Sequence, residues 1–127
     1  MTKFKSQGLG NTFRNAAQGL RLVLKSERNI RIHAIVAVIV LMLAQVLGFS
    51  TVKFCILLLT ISSVMVTEML NTGIEFALDS IFKNKYSRLV GMAKDISAGA
   101  VMLATVVSVI IGIILFGEAL LVKSVPV

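Results

Sequence analysis

Three long apolar runs dominate the chain. The first extends from about Ile30 to Phe49, the second from near Val52 to about Phe82, and the third from about Asp95 to Leu121. Ahead of them, Phe13, Ala16, Ala17, Leu20, Val23 and Leu24 recur at helical spacing, while Arg14, Gln18, Arg21 and Lys25 take the opposite face. That periodicity predicts an amphipathic basic helix in the headgroup layer, followed by three spanning helices. The expected fold is therefore all-α and integral to the membrane. It is a single domain over 1–127, with a surface segment at 1–29 and helices at 30–49, 52–82 and 95–121. Residues 1–10 are polar and expected to fray.

The second run is interrupted by Glu68, Asn71, Glu75 and Asp79. At about 100° per residue these four fall within roughly 80° of one helix face. A charge at the centre of a spanning helix costs roughly 2.5 to 3.5 kcal/mol on insertion scales, so the stripe marks a functional site by default. A helix over 52–82 would be about 46 Å long against a hydrocarbon core of about 30 Å, and it must protrude. If the apolar thickness starts at Phe54, a crossing of about 20 residues ends near Gly73. Glu68 then lies about 8 Å inside the boundary, while Glu75 and Asp79 sit toward the water.

Composition agrees with the pattern: 57% of the 127 residues are hydrophobic and the mean hydropathy is +0.93. The net charge of +7 raises the question of nucleic acid, but its distribution answers differently. Lys3, Lys5, Arg14, Arg21, Lys25, Arg28 and Arg31 precede the first run, and Lys83, Lys85, Arg88 and Lys94 lie between the second and third. Only Lys53 and Lys123 remain near the opposite ends. The positive-inside rule turns this asymmetry into an orientation, with the N-terminus and the second loop in the cytosol and the C-terminus outside. No cleaved signal peptide is visible, so the first span is expected to act as the insertion signal. Cys55 is alone and reads as a small buried hydrophobe. Gly8-Leu9-Gly10 lacks the third glycine and the preceding strand of a nucleotide fingerprint. Pro126 is the only proline, which leaves the long helices unbroken.

The second and third runs are joined by a basic connection, Lys83 to Ala93, which brings Lys94 and Asp95 close to Glu75 and Asp79. Glu27 lies on the same side, at the hinge before the first span. Carboxylates in such a group suit magnesium, which takes one or two of them together with phosphate oxygens, and a nearby lysine suits a phosphate. A carboxylate inside the hydrocarbon boundary suits a general base for a lipid hydroxyl. These are the parts phosphoryl transfer needs. The same stripe also suits a small oligomeric proton or cation pathway, or plain pairing of Glu75 and Asp79 with Lys83 and Lys94. Ser97-Ala98-Gly99-Ala100 opens the third span with small residues that allow another helix to approach closely.

Glu68-x-Leu70-Asn71-Thr72-Gly73-Ile74-Glu75-x-x-x-Asp79 closely resembles the signature of the small prokaryotic diacylglycerol kinase family, which includes the undecaprenol kinases of Gram-positive bacteria. Ala93-Lys94-Asp95-Ile96-Ser97-Ala98-Gly99-Ala100-Val101 resembles its second motif. Gly19-Leu20-Arg21 with Glu27-Arg28-Asn29-x-Arg31-x-His33 is similar to its entry into the first span. The resemblance extends from about Phe13 to Gly117. It implies a homotrimer with an active site at the cytosolic membrane surface, shared between neighbouring subunits, and transfer from MgATP to a lipid alcohol. It implies Glu68 as general base, Glu27 and Glu75 as magnesium ligands, and Lys85, Tyr86, Ser87, Lys94 and Asp95 with both glutamates as nucleotide contacts. Asn71, Asp79, Arg31 and Ala98 are implied as supporting or substrate-side residues, with Arg14 or Asn15 near the nucleotide. Gly73 stands where the family usually has alanine. His33 stands where some diacylglycerol-preferring members carry a carboxylate, and the histidine, more typical of the undecaprenol-type branch, leans the substrate toward a polyprenol. Taken without the resemblance, His33 reads as a structural residue at the mouth of the first span. Glu118 reads as a boundary charge.

Overall fold

The structure is a computed structural model that describes residues 8–83, 85 and 87–124. Lys3, Lys5, Tyr86, Pro126 and the side chain of Lys123 lie outside the described residues. The described chain forms four helices: α1 (Leu9–Ser26), α2 (Arg28–Val46), α3 (Thr51–Phe82) and α4 (Arg88–Ser124). The last three are long and apolar enough to cross a membrane. The protein is an all-α integral membrane protein.

Each boundary has a local cause. Between α1 and α2 only Glu27 leaves the helical region, at φ −109° and ψ 113°. The guanidinium of Arg31, one turn into α2, turns back and donates from Nη1 to the carbonyls of Leu24 at 3.0 Å and Lys25 at 2.7 Å. Those carbonyls lie in the last turn of α1, where helical partners run out and a cation is favoured. One side chain thus holds the bend between the two helices. α2 ends in a Schellman motif, in which Gly48 takes φ 71° while its N–H donates to Gln45 O and that of Phe49 donates to Ala44 O, each at 3.1 Å. This closes the helix at Val46, three residues short of the limit at 49 that hydropathy gives. Ser50 then caps α3, its hydroxyl accepting from the Lys53 N–H at 3.3 Å.

α3 has 32 residues and is about 48 Å long, so it overreaches an apolar layer of about 30 Å. It is the central helix, packing against both α2 and α4. In its most apolar window 22% of residues are buried, against 6% in α4. Val23 is the buried residue of α1, whereas Phe13, Leu20 and Leu24 are exposed, as a helix lying on a lipid surface requires.

The start of α4 departs from the sequence pattern. The connection after α3 is not Lys83–Ala93: α4 begins at Arg88, about two turns before Asp95. Hydropathy misses those turns because Arg88 and Lys94 flank them, yet Val90 is buried in this segment. Lys94 and Asp95 therefore lie within a helix and not at its start. The protruding parts of α3 and α4 stand side by side.

At the end of the bundle that carries Glu118, Ala44, Leu57 and Leu115 make the buried core, with Val40, Ile61, Phe54 and Ile111 packed around it. Lys53 pairs with Glu118 at 3.1 Å, and the Phe49 and Phe116 rings meet with centroids 4.9 Å apart. Gly99 and Gly112 of α4 bring no helix into close approach within the chain, since a Cβ on either would meet nothing within 4 Å. Cys55, expected to be buried, is exposed on α3.

Candidate active site

The opposite end of α3 carries a line of polar side chains. Glu68 is 8% exposed and Thr72 4%, so this part of the helix is covered by its neighbours despite its polarity. A buried charge must be partnered to persist. For Glu68 the partner comes from α2: His33 Nε2 stands 3.3 Å from Glu68 Oε1. One turn along, Asn71 is partnered from α4. Its Oδ1 accepts from the Ser97 hydroxyl at 2.7 Å, and Ser97 Oγ also lies 2.9 Å from the Lys94 carbonyl. Asn71 Nδ2 reaches Glu75 Oε1 at 3.5 Å, a long contact that leaves most of that carboxylate's accepting capacity unused. Two turns further, Lys94 of α4 donates to Asp79 Oδ1 at 2.5 Å, with both side chains partly exposed. The stripe is thus joined to α2 at its buried end and to α4 over the rest of its length.

Two cavities flank this line. A polar one of about 320 Å³ is bounded by Asp79, Phe82, Lys85, Gly91, Lys94 and Asp95, where the ends of α3 and α4 stand together. An apolar one of about 410 Å³ lies among α2, α3 and α4, and His33, Val36, Val40, Ile61, Val109 and Phe116 are among its walls. The hydroxyls near it are tied to backbone carbonyls, Thr60 to Ile56, Thr105 to Val101 and Ser108 to Thr60, which leaves hydrocarbon to line the space.

The residues named from sequence fall into three groups. Asn71, Glu75, Asp79 and Lys94 belong to one chain of contacts through Ser97, Glu68 pairs separately with His33 at the buried end, and Lys85 and Asp95 share the polar cavity with Asp79 and Lys94. Ser87 lies in the short link, where its carbonyl accepts from the Gly91 N–H at 2.9 Å and starts α4. Glu27, Arg31 and Ala98 stand apart: Glu27 is half-buried at the hinge, Arg31 is occupied by the end of α1, and Ala98 is exposed on α4. Tyr86 is outside the described residues.

Two residues were undervalued by sequence reasoning. Ser97 reads as one of a run of small residues, but it is the hydrogen-bond partner of Asn71. His33 reads as structural, but it meets Glu68. A depth signal exists for the histidine: five residues in from Arg28 is about 8 Å, the depth the same arithmetic gives Glu68.

A carboxylate buried between spans, beside an apolar cavity and about three turns along α3 from a cavity lined by both lysines and aspartates, is an arrangement that can bring a lipid and a water-soluble group to one end of the bundle. Comparison with known proteins makes the class definite. Residues 14–116 match the profile of the prokaryotic diacylglycerol kinases. A diacylglycerol kinase of Synechocystis sp. is 38% identical over 101 residues, which make up 80% of this chain and 58% of that protein. The undecaprenol kinase of Bacillus subtilis is 36% identical over 105 residues, 83% of this chain and 85% of that one. The diacylglycerol kinase of Escherichia coli K12 is 32% identical over 93 residues, 73% and 75% of the two chains. The chain belongs to the prokaryotic diacylglycerol kinase family, a family of lipid kinases.

Proposed function

We propose that the protein transfers the γ-phosphoryl group of MgATP to the hydroxyl of a membrane lipid alcohol, undecaprenol or diacylglycerol, giving undecaprenyl phosphate or phosphatidic acid. The observation that carries this reading is the placement of Glu68, buried among the spans and held by a side chain that also lines the apolar cavity. The hydrocarbon of the alcohol fits that cavity. Its hydroxyl then approaches Glu68, which takes the proton as the oxygen attacks phosphorus. The nucleotide phosphates belong in the polar cavity, where Lys94 offsets the charge that develops on the transferred group.

The donor set fits magnesium, although among the described residues no group of three or more His, Cys, Asp or Glu side chains is placed to cage an ion. Magnesium shared with nucleotide phosphates needs only one or two carboxylates. Glu75 has accepting capacity in reserve and would hold the ion; Glu27, which stands apart at the α1–α2 hinge of the single chain, is the second carboxylate that the family resemblance implies. Bound there, it supplies charge neutralisation on the phosphates. The charge asymmetry supports placing this end in the cytosol, with the C-terminus outside and the protein in the bacterial inner membrane. The family resemblance supports a homotrimer.

A proton or cation pathway fits less well. Beyond Glu68 and His33 no buried ionisable side chain continues the line among the described residues: the hydroxyls of Thr60 and Ser108 are tied to backbone carbonyls, and the helices meet through Ala44, Leu57 and Leu115. The test is radiolabelled ATP with purified protein in micelles containing undecaprenol or diacylglycerol, side by side. Labelled lipid phosphate with one of them, abolished by chelation and restored by magnesium, is the expected result. No labelled lipid with either alcohol sinks the reading, and ion flux in liposomes lost on Glu68→Gln would support the pathway instead.

A further inference from the structure

His33 is the one histidine of the chain, and its imidazole reaches across from α2 to the buried end of α3. The Glu68 carboxylate has two oxygens, and His33 stands 3.3 Å from Oε1. Among the described residues no other side chain pairs with that carboxylate. A glutamate at the end of three torsions is loosely held by its own helix, and its last torsion is broad. The partner on Oε1 therefore decides where Oε2 points.

From this geometry we infer that His33 is a positioning residue: it donates its Nε2–H to Oε1 and holds Glu68 so that Oε2 faces the lipid hydroxyl. The inference rests on the reading of Glu68 as the general base. The surroundings agree with it. His33 also lines the apolar cavity, so the imidazole stands between the space for the hydrocarbon chain and the proton acceptor. Arg31, the nearest cation along α2, is committed to the carbonyls of Leu24 and Lys25 and does not compete for the carboxylate. His33 is the more exposed partner, with 32% of its side chain accessible against 11% for Glu68, so the base is held from the more open side.

The single histidine makes a direct test possible. Protein labelled with ¹⁵N-histidine in micelles gives one imidazole to follow. The Nε2–H should be visible and slow to exchange in the wild type, and it should move to the position of a free imidazole in Glu68→Ala. A wild-type imidazole N–H that exchanges as fast as free histidine overturns the inference without any variant being needed. Kinetics supply the second arm. His33→Ala should lower kcat about 10- to 100-fold with KM for ATP unchanged, because misplacing a reacting group by about 1 Å costs about 10²-fold. His33→Gln, which keeps an N–H donor, should recover most of that loss. Unchanged kcat in His33→Ala, or Gln no better than Ala, also overturns the inference. Full activity in Glu68→Gln would instead strike at the reading of Glu68 as base, so the two failures are separable.

Discussion

The two ends of the helical bundle each hold a carboxylate paired with a basic side chain across helices, yet they are built for opposite purposes. At the Glu118 end, Lys53 and Glu118 meet at 3.1 Å with more than half of the Glu118 side chain exposed. Beneath them lie the Phe49 and Phe116 rings and a closed core of Ala44, Leu57 and Leu115. At the other end the carboxylate is inside: Glu68 is buried, its partner comes from α2, and Asn71, Glu75 and Asp79 continue the line outward. Where the core is apolar the charges stay at the rim. Where the charges go in, α2 and α4 both send polar side chains to meet them. Packing is concentrated at the first end, and the second holds the proposed site of reaction.

The largest effect should come from removing the buried charge while keeping its shape. Glu68→Gln is expected to lower kcat for lipid phosphorylation by about 10² to 10⁴, the range for loss of a general base, with the helical content and its resistance to SDS unchanged. A variant that lost activity only by unfolding would break the division between the ends. Lys94→Met comes next. A fixed donor aimed at developing charge is worth about 10² to 10³ in kcat, so a loss of at least about 10² is expected in the same radiolabel assay. Because the Asp79–Lys94 pair is partly exposed, the cost in stability should stay below about 1 kcal/mol.

The opposite pattern is expected for Leu57→Ala. Leu57 is 2% exposed, and truncating it leaves a cavity that surrounding side chains fill only in part. An SDS titration should show a loss of about 2 kcal/mol or more. Activity per folded molecule should remain near wild type. If Leu57→Ala left stability intact while activity fell, the packing core would not be where the geometry places it.

Much of this division could be read from the chain before folding. Apolar runs longer than the bilayer needs required spanning helices, and the stripe of Glu68, Asn71, Glu75 and Asp79 required something polar to face it. The partners were less visible, for physical reasons. Ser97 is small enough to pass for a helix-packing residue, and only the packing of α4 on α3 shows that its hydroxyl meets Asn71. Hydropathy discards Arg88 to Lys94 as loop because it averages over charge, although Val90 is buried there. Arg31 is implied as a supporting residue by its place in a motif, and spacing alone does not show that its Nη1 also meets the last turn of α1. Sequence spacing orders residues along one helix; which neighbour meets them is set by packing among three.

Ser97→Ala sharpens the comparison at smaller magnitude. It removes one hydrogen bond to Asn71 Oδ1, worth about 1 kcal/mol, and leaves a half-buried acceptor to find water. A modest loss of stability is expected in the SDS titration, with kcat lowered less than in Lys94→Met because no charge is removed.

The smallest effect belongs to the other end. Glu118→Gln breaks an ion pair whose acid is mostly exposed, and such pairs contribute about 0 to 1 kcal/mol because water and salt already satisfy both charges. Lys53 keeps the Phe49 ring 6.0 Å from its ammonium, so it is not left without company. The SDS midpoint and the phosphorylation rate should both lie close to wild type. The value of this variant is its contrast with Glu68→Gln, since both make the same chemical change toward opposite ends of the bundle. If Glu118→Gln cost as much activity as Glu68→Gln, burial would not be what separates a reactive carboxylate from a boundary charge in this protein.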